Sequence, residues 1–362
     1  MHAAIFREAH QPLAIESVDV DSPAEREVVV RTAATGVCHS DLHFVDGDLP
    51  APPRPMAMGH EGAGVVEAVG AAVTEFQPGD HVVACLSGFC GMCAQCLSGH
   101  PNLCTARYVS RSRGADPRLR LDGDGIIQFA DLATFAEQML VHENSLVRID
   151  PDIPLDVAAL MGCGVLTGLG AALRTAGLEA GQTVAVFGCG GVGLSIVQGA
   201  RLGGAGRIIA IDQFQTKLDM ARNMGATDVL DASSGDAVEQ LRELTGGAGV
   251  DHAFEAVGLP SLIRQSIEAL AIRGTATIVG VPPAGASLEF PLDAIRPECR
   301  IQTSRMGSNR FRTDIPMYLE FYRQGRLKLD DMVTRRLGLE DVNESFRAMK
   351  AGEVARSVLV FD

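Results

Sequence analysis

The chain is short of positive charge: 31 lysines and arginines face 45 aspartates and glutamates, for a net charge of −14. So acidic a surface repels phosphate backbones, which argues against nucleic acid as a partner. Low-complexity tracts, long charge runs and clear internal repeats are absent. The first residues, MHAAIFREAH, carry charges where a secretory segment needs an apolar core, so export is not expected. One apolar stretch of seventeen uncharged residues, 157–173, is shorter than the ~20 residues of a membrane span and holds four glycines. It reads as a buried helix start of a cytoplasmic protein, with no membrane partner.

What the chain does have is length for about two domains and a real core, with 46% hydrophobic residues and 40 glycines. Four of its nine cysteines, Cys90, Cys93, Cys96 and Cys104, fall within fifteen residues. Chance rarely clusters them so, and disulfides need an oxidising compartment. Spacings of two, two and seven residues suit four thiolates on one tetrahedral zinc, a closed structural site. A chain that loads one zinc can hold a second, open one.

The first 150 residues lack a long helical period. Short β-type runs at 28–31, 64–69 and 81–85, separated by Gly, Pro and Asp turns, predict a compact, barrel-like β domain. From residue 183 apolar runs alternate with amphipathic helices. Strands are expected at 184–187, 207–211, 228–230, 250–254, 276–279 and 299–303, with helices such as 216–224 and 260–270 between them. This pattern predicts an α/β domain with a doubly wound parallel sheet of six strands. Past residue 306 helices return, with Val342, Phe346 and Met349 on one apolar face. A last strand, 357–361, ends the chain and is expected to rejoin the first domain.

Gly188-Cys189-Gly190-Gly191-Val192-Gly193 follows the strand at 184–187 and opens a helix, the G-x-G-x-x-G context of a dinucleotide site. The glycines permit a tight turn and a close pyrophosphate, and the helix N-terminus favours the anion. Asp212, at the end of the next strand, can accept from both ribose hydroxyls and repel a 2′-phosphate. The cofactor expected is therefore NAD rather than NADP.

Cys38, His60 with Glu61, and Cys163 lie in GVCHSDLH, GHEGAG and MGCG, and spacing alone does not join them. With GHEGAGVV at 59–66, GCG at 162–164, the glycine-rich segment and VGVPP at 279–283, the chain resembles the zinc-dependent alcohol dehydrogenases of the medium-chain dehydrogenase/reductase superfamily over essentially its whole length. The resemblance implies a GroES-like catalytic domain (1–164, with the zinc lobe at 88–106), a Rossmann domain (165–305) and a returning C-terminal segment (306–362). It also implies that Cys38, His60 and Cys163 bind a catalytic zinc, with Glu61 able to approach it and Asp41 orienting the histidine. Zinc acidifies the alcohol, and hydride passes to the nicotinamide. The resemblance further implies that the Ser40 hydroxyl, the cofactor ribose and His43 carry the proton outward. His39 and Arg356 are placed at the pyrophosphate, Lys217 at the adenosine ribose, and Thr167 and Val281 at the nicotinamide. A histidine at position 39 implies weaker pyrophosphate binding as pH rises.

Positions matching the family's alcohol pocket hold Ser40, Leu49, Leu86, Phe129, Ala130 and Val281. This apolar lining suggests a medium-sized hydrophobic or aromatic primary alcohol and its aldehyde. The charged stretch 107–124 is expected to be an exposed loop at the pocket rim. Polyol dehydrogenases of the superfamily usually place a carboxylate where Cys163 stands, and glutathione-dependent formaldehyde oxidation departs from the residues after Asp41. A non-catalytic zinc-stabilised NAD-binding protein is the reading from another class. Relatives pair through their nucleotide domains, so a homodimer, or else a tetramer, is implied.

Overall fold

The structure, a computed structural model, describes residues 1–50, 52–106, 108–112 and 114–361. The chain forms two compact units: Met1–Gly164 with Arg310–Gly325 and Leu329–Asp362, and Val165–Asn309 with Arg326–Lys328.

The first unit is organised by one long strand, Glu27–Gly36, rich in valine and alanine and buried at nearly every position. It pairs antiparallel with Gly62–Val69 on one side. On its other side it pairs with Gln138–His142 along its first half and with Arg356–Val360 along its second. The strand Arg356–Val360 is thus part of the first unit's main sheet. His81–Ala84, Leu146–Arg148 and Val333–Leu337 complete that sheet. A smaller sheet orders Ile127–Gln128, Met56–Ala57, His2–Phe6 and Ala14–Ser17. Ala4, Phe6, Met58 and Phe135 pack with Val342 and Phe346 of the helix Val342–Lys350, and Met349 lies against the same cluster. Each large apolar side chain so buried contributes about 1.5–3 kcal/mol.

The stretch 107–124 corrects its sequence reading. Arg107 and Arg113 lie outside the described residues, but Leu119–Leu121 is a strand paired with Asp19–Val20, and Arg118, Leu119 and Leu121 are buried. Arg118 is accommodated because its Nε donates to the buried Glu27 at 2.7 Å. Arg111 grips the same carboxylate and also Asp21. Burial alone would raise the Glu27 carboxyl, yet the hydrogen bonds from Arg111, the Ala24 amide and Arg118 lower it to about 2.

The second unit is a six-stranded parallel sheet in the order Asp228–Asp231, Arg207–Asp212, Thr183–Phe187, Val250–Glu255, Leu270–Ile278 and Arg300–Thr303. The order reverses at Thr183–Phe187, the place where open parallel sheets bind ligands beyond their carboxyl ends. Gly225, at φ +117°, closes the helix Gln215–Met224. The fifth strand begins earlier than the sequence suggested. The helix Pro260–Glu268 stops short, because Ala269 and Leu270 are buried and Leu270 pairs with Val250. A short apolar run such as ALAI suits either element.

Residues 157–172 are buried throughout. Among the described residues no single helix is long and apolar enough to cross a membrane; the pair Leu155–Gly162 and Gly164–Thr175, bent by 56°, passes on length and composition only.

Candidate metal and nucleotide sites

Cys38 caps the helix His39–Val45 just after the long strand, and His60 and Glu61 lead into the strand Gly62–Val69. Gly59 takes φ +91°, and a Cβ there would fall 2.3 Å from the Phe135 amide nitrogen, so the chain before His60 needs glycine. Cys163 lies between Leu160–Gly162 and the helix Gly164–Gly170. The ligand atoms of Cys38, His60, Glu61 and Cys163 all come within 4.8 Å of one another, and all four residues are buried.

Asp41, in the first turn of its helix, accepts the Gly59 amide at 3.1 Å through Oδ1, which lies 3.2 Å from His60 Nδ1. His60 Nε2 is buried with no hydrogen-bond partner among the described residues. A buried polar atom is rarely left so. Burial alone would lower His60, but the Asp41 carboxylate and the Cys38 sulfur raise it to about 10. Cys38 is pushed well below an ordinary thiol by the hydrogen bond from Cys163, whose own thiol is pushed up in return. One thiolate, a second thiol that a metal would deprotonate, and an orphaned imidazole nitrogen fit a zinc ion with one position left over.

Glu61 is fully buried: Oε1 accepts the Gly164 amide at 3.1 Å, and Oε2 is paired with the Arg356 guanidinium. A Cβ at Gly36 would fall 2.2 Å from that oxygen. Arg356, expected at the pyrophosphate, is thus 5% exposed and spent on Glu61.

In the lobe, Cys93 and Cys96 sulfurs are 3.5 Å apart, and Cys90–Cys96 and Cys93–Cys104 are 3.9 Å apart. Ligands ~2.3 Å from a tetrahedral zinc stand about 3.8 Å from one another. The amides of Met92 and Cys93 point at Cys90 Sγ, as towards a thiolate. None of the nine cysteines is disulfide-bonded.

Around the buried cluster, the Phe129 ring meets His60 edge-on at 5.2 Å between centroids, and meets Phe44 at the same distance. Ser40 Oγ lies 3.8 Å from Cys38 Sγ. His43 Nδ1 is 2.9 Å from Asp48 Oδ2, a partner the sequence reading missed, because nothing in a loop aspartate marks it. Leu49 is half-buried, and His39 is exposed, its ring 6.5 Å from that of His43. Leu86, assigned to the pocket, packs against the core around Val28, Val82 and Leu146. Ala130 takes φ +56°, followed by Asp131 at +58° and Ala133 at +56°. Such left-handed residues cost of order 1–3 kcal/mol each unless their surroundings hold them.

In the second unit the helix Gly191–Leu202 starts at the glycine-rich turn, with Gly190 as its cap. Gly188 sits at φ +92°, and a Cβ on Gly193 would fall 1.8 Å from the Gly188 carbonyl oxygen. A Cβ on Gly190, in contrast, would meet nothing within 4 Å. Packing therefore explains Gly188 and Gly193, while the space beside Gly190 and the amides at Gly191 and Val192 is open to an anion. Asp212 Oδ2 accepts the Cys189 amide at 2.8 Å and Oδ1 the Phe214 amide at 3.0 Å. Lys217 Nζ rides 4.8 Å over the Phe214 ring. Thr167 is buried with Oγ1 3.5 Å from Met306 Sδ, and Val281 is 46% exposed. Glu255, which the sequence reading passed over, is fully buried and accepts the Val257 and Gly258 amides at the strand end.

The chain matches the alcohol dehydrogenase GroES-like domain over residues 24–151 and the zinc-binding dehydrogenase family over residues 191–321. It is 38% identical to the S-(hydroxymethyl)glutathione dehydrogenase of Saccharomyces cerevisiae, over 99% of this chain and 96% of that protein. With the protein of the same description from Synechocystis it shares 39%, over 99% and 98%. Among solved structures, an alcohol dehydrogenase zinc-binding domain protein from Burkholderia ambifaria superposes with a TM-score of 0.92 at 37% identity, covering 100% of this chain and 98% of that one. The benzyl alcohol dehydrogenase of Acinetobacter calcoaceticus gives 0.91 at 31%, covering 100% and 99%.

Proposed function

As the chain belongs to the zinc-dependent, NAD-linked alcohol dehydrogenases of the medium-chain dehydrogenase/reductase superfamily, we propose that it interconverts a medium-sized hydrophobic or aromatic primary alcohol and its aldehyde. The observation that carries this is the Phe129 ring, set edge-on to the His60 imidazole and backed by Phe44, which offers an aromatic wall beside the buried cluster.

In this reading Cys38, His60 and Cys163 hold the catalytic zinc, and Cys90, Cys93, Cys96 and Cys104 hold the structural one. The catalytic zinc supplies Lewis acidity to an alcohol oxygen. Asp41, by occupying Nδ1, leaves His60 Nε2 for the metal. Arg356 neutralises Glu61 in an interior that would not tolerate a lone carboxylate. Ser40 takes the proton from the reacting hydroxyl and His43 passes it outward; Asp48 on Nδ1 leaves Nε2 as the accepting nitrogen. Gly190, Gly191 and Val192 cradle the pyrophosphate, and Asp212 selects the unphosphorylated ribose. The protein acts as a homodimer, which sedimentation equilibrium tests.

A second reading takes S-(hydroxymethyl)glutathione as substrate, on the names of the yeast and Synechocystis relatives. A glutathione adduct brings carboxylates that need free cations. Arg111, Arg118 and Arg120 are each engaged in ion pairs, with Asp21 and Glu27, with Glu27, and with Asp116. The deciding experiment is NADH formation with benzyl alcohol, longer primary alcohols, ethanol, and formaldehyde plus glutathione. The first reading expects the highest kcat/KM with benzyl-type or longer alcohols. A higher value for ethanol, or for the glutathione adduct, overturns it.

A further inference from the structure

Ser110 and Arg118 are both tied to the turn that carries Phe129. Ser110 Oγ donates to Asp131 Oδ2 at 2.8 Å, and Arg118 Nη1 donates to Gln128 Oε1 at 3.3 Å. Gln128 Nε2 in turn donates to the carbonyls of Leu132 and Leu140, at 3.4 and 3.1 Å. Arg118 is itself anchored, because it is 6% exposed and held by Glu27. At and beside these two ties sit Ala130, Asp131 and Ala133, all left-handed although none is glycine. The turn's own backbone bonds are few: Leu132 and Ala133 share the Phe129 carbonyl. A conformation that L-residues resist, closed by little internal bonding, must be held from outside.

We propose that Ser110 and Arg118 are positioning residues for substrate selection: through Asp131 and Gln128 they hold the left-handed turn, and with it the Phe129 ring, against the His60 imidazole. The inference rests on Phe129 being a wall of the alcohol site. It gives the charged loop a task other than attracting an acidic substrate, since Arg111 and Arg118 are paired with the buried Glu27 and Arg120 with Asp116. Releasing a tie lets the turn relax and the ring swing, which alters the site for alcohols that reach Phe129 and leaves small ones untouched.

The chain has no tryptophan, so Phe129→Trp creates a single indole reporter at this position. Acrylamide quenching of Phe129→Trp would be compared with that of Phe129→Trp combined with Ser110→Ala, Ser110→Thr or Arg118→Lys, with circular dichroism as the check on folding. Arg118→Lys keeps a charge on Glu27 but loses the fork that also reaches Gln128. Ser110→Ala and Arg118→Lys should raise the quenching constant about twofold, while Ser110→Thr, which keeps the hydroxyl, should restore it. In the Phe129 background, Ser110→Ala should raise KM for benzyl alcohol ~3- to 10-fold, the loss expected of one hydrogen bond, with kcat/KM for ethanol and zinc content unchanged.

Unchanged quenching in both Ser110→Ala and Arg118→Lys overturns the tie, whatever the enzyme oxidises. Increased quenching with equal losses for ethanol and benzyl alcohol overturns the selective role. If the wild-type protein turns over no benzyl-type alcohol, the substrate reading fails by itself, and the quenching comparison still decides whether the loop holds the turn.

Discussion

Asp41 Oδ1 stands 3.2 Å from His60 Nδ1, with both side chains at zero exposure. Asp41 also takes the Gly59 amide, so the carboxylate fixes the backbone before His60 and the ring of His60 together. A histidine held at Nδ1 presents Nε2 to the interior, where the two thiols converge. Removing such a partner typically lowers metal affinity by about 10- to 100-fold. Asp41→Ala should therefore lose the catalytic zinc to a chelator at a concentration that leaves the wild type loaded, while the lobe zinc stays. Equal zinc retention at both sites in the variant would separate Asp41 from metal binding.

Replacing Cys38 by serine tests the buried cluster directly. A serine hydroxyl is a poor zinc ligand, and the remaining imidazole and thiol cannot close a site. Zinc should fall from two ions per chain to one, NADH formation should vanish, and the far-ultraviolet circular dichroism should be retained. Activity persisting in Cys38→Ser would sink the assignment of the open site.

The two sites differed in how openly the sequence announced them. Cys90, Cys93, Cys96 and Cys104, like the glycines from 188 to 193, bring their partners together by local spacing, so a short stretch of chain carries the geometry. Cys38, His60 and Cys163 are joined only by the folding of the β unit, and resemblance, not spacing, connected them. The loop around Arg118 was misread for a related reason: an arginine-rich stretch looks solvated until its partner is known, and Glu27 lies on a distant strand. The left-handed turn after Phe129 left no trace at all, since Ala130, Asp131 and Ala133 supply no glycine to mark it. Arg356 matched its position but sits buried against Glu61, a pairing that no local pattern encodes.

Asp212 has a bracing task in the structure beside the ribose role proposed for it. Its oxygens accept the amides of Cys189 and Phe214, which braces the glycine-rich turn against the start of the next helix. The same carboxylate is the group proposed to face the ribose. Asp212→Gly should thus raise KM for NAD by about 10-fold or more, the scale of a lost charged hydrogen bond, and narrow the preference over NADP. Steady-state kinetics with both cofactors measure this. An unchanged NAD/NADP ratio would mean that the carboxylate serves only the turn.

Glu27 sets an acid limit that can be read by titration. Its carboxyl is held at about 2, against 4.5 for an ordinary glutamate, despite the burial that opposes this, because Arg111, the Ala24 amide and Arg118 all bond its charged form. The unfolded chain therefore takes up this proton first as pH falls. The stabilisation is complete above about pH 4.5 and is lost on the way down to pH 2, a total of about 3 kcal/mol. His142, near Arg118, is lowered to about 4 by burial and by Arg118 and Arg26, so its share disappears earlier, between pH 6.5 and 4. Two windows result, and substitution separates them. Urea midpoints measured from pH 7 to pH 3 should show Glu27→Gln already destabilised at pH 7, since buried guanidinium groups lose their counter-charge, with a flatter decline below pH 4.5 than the wild type. Parallel declines in the two proteins below that pH would remove Glu27 as the cause, and with it the claim that this carboxylate anchors the loop whose Arg118 holds the turn of Phe129.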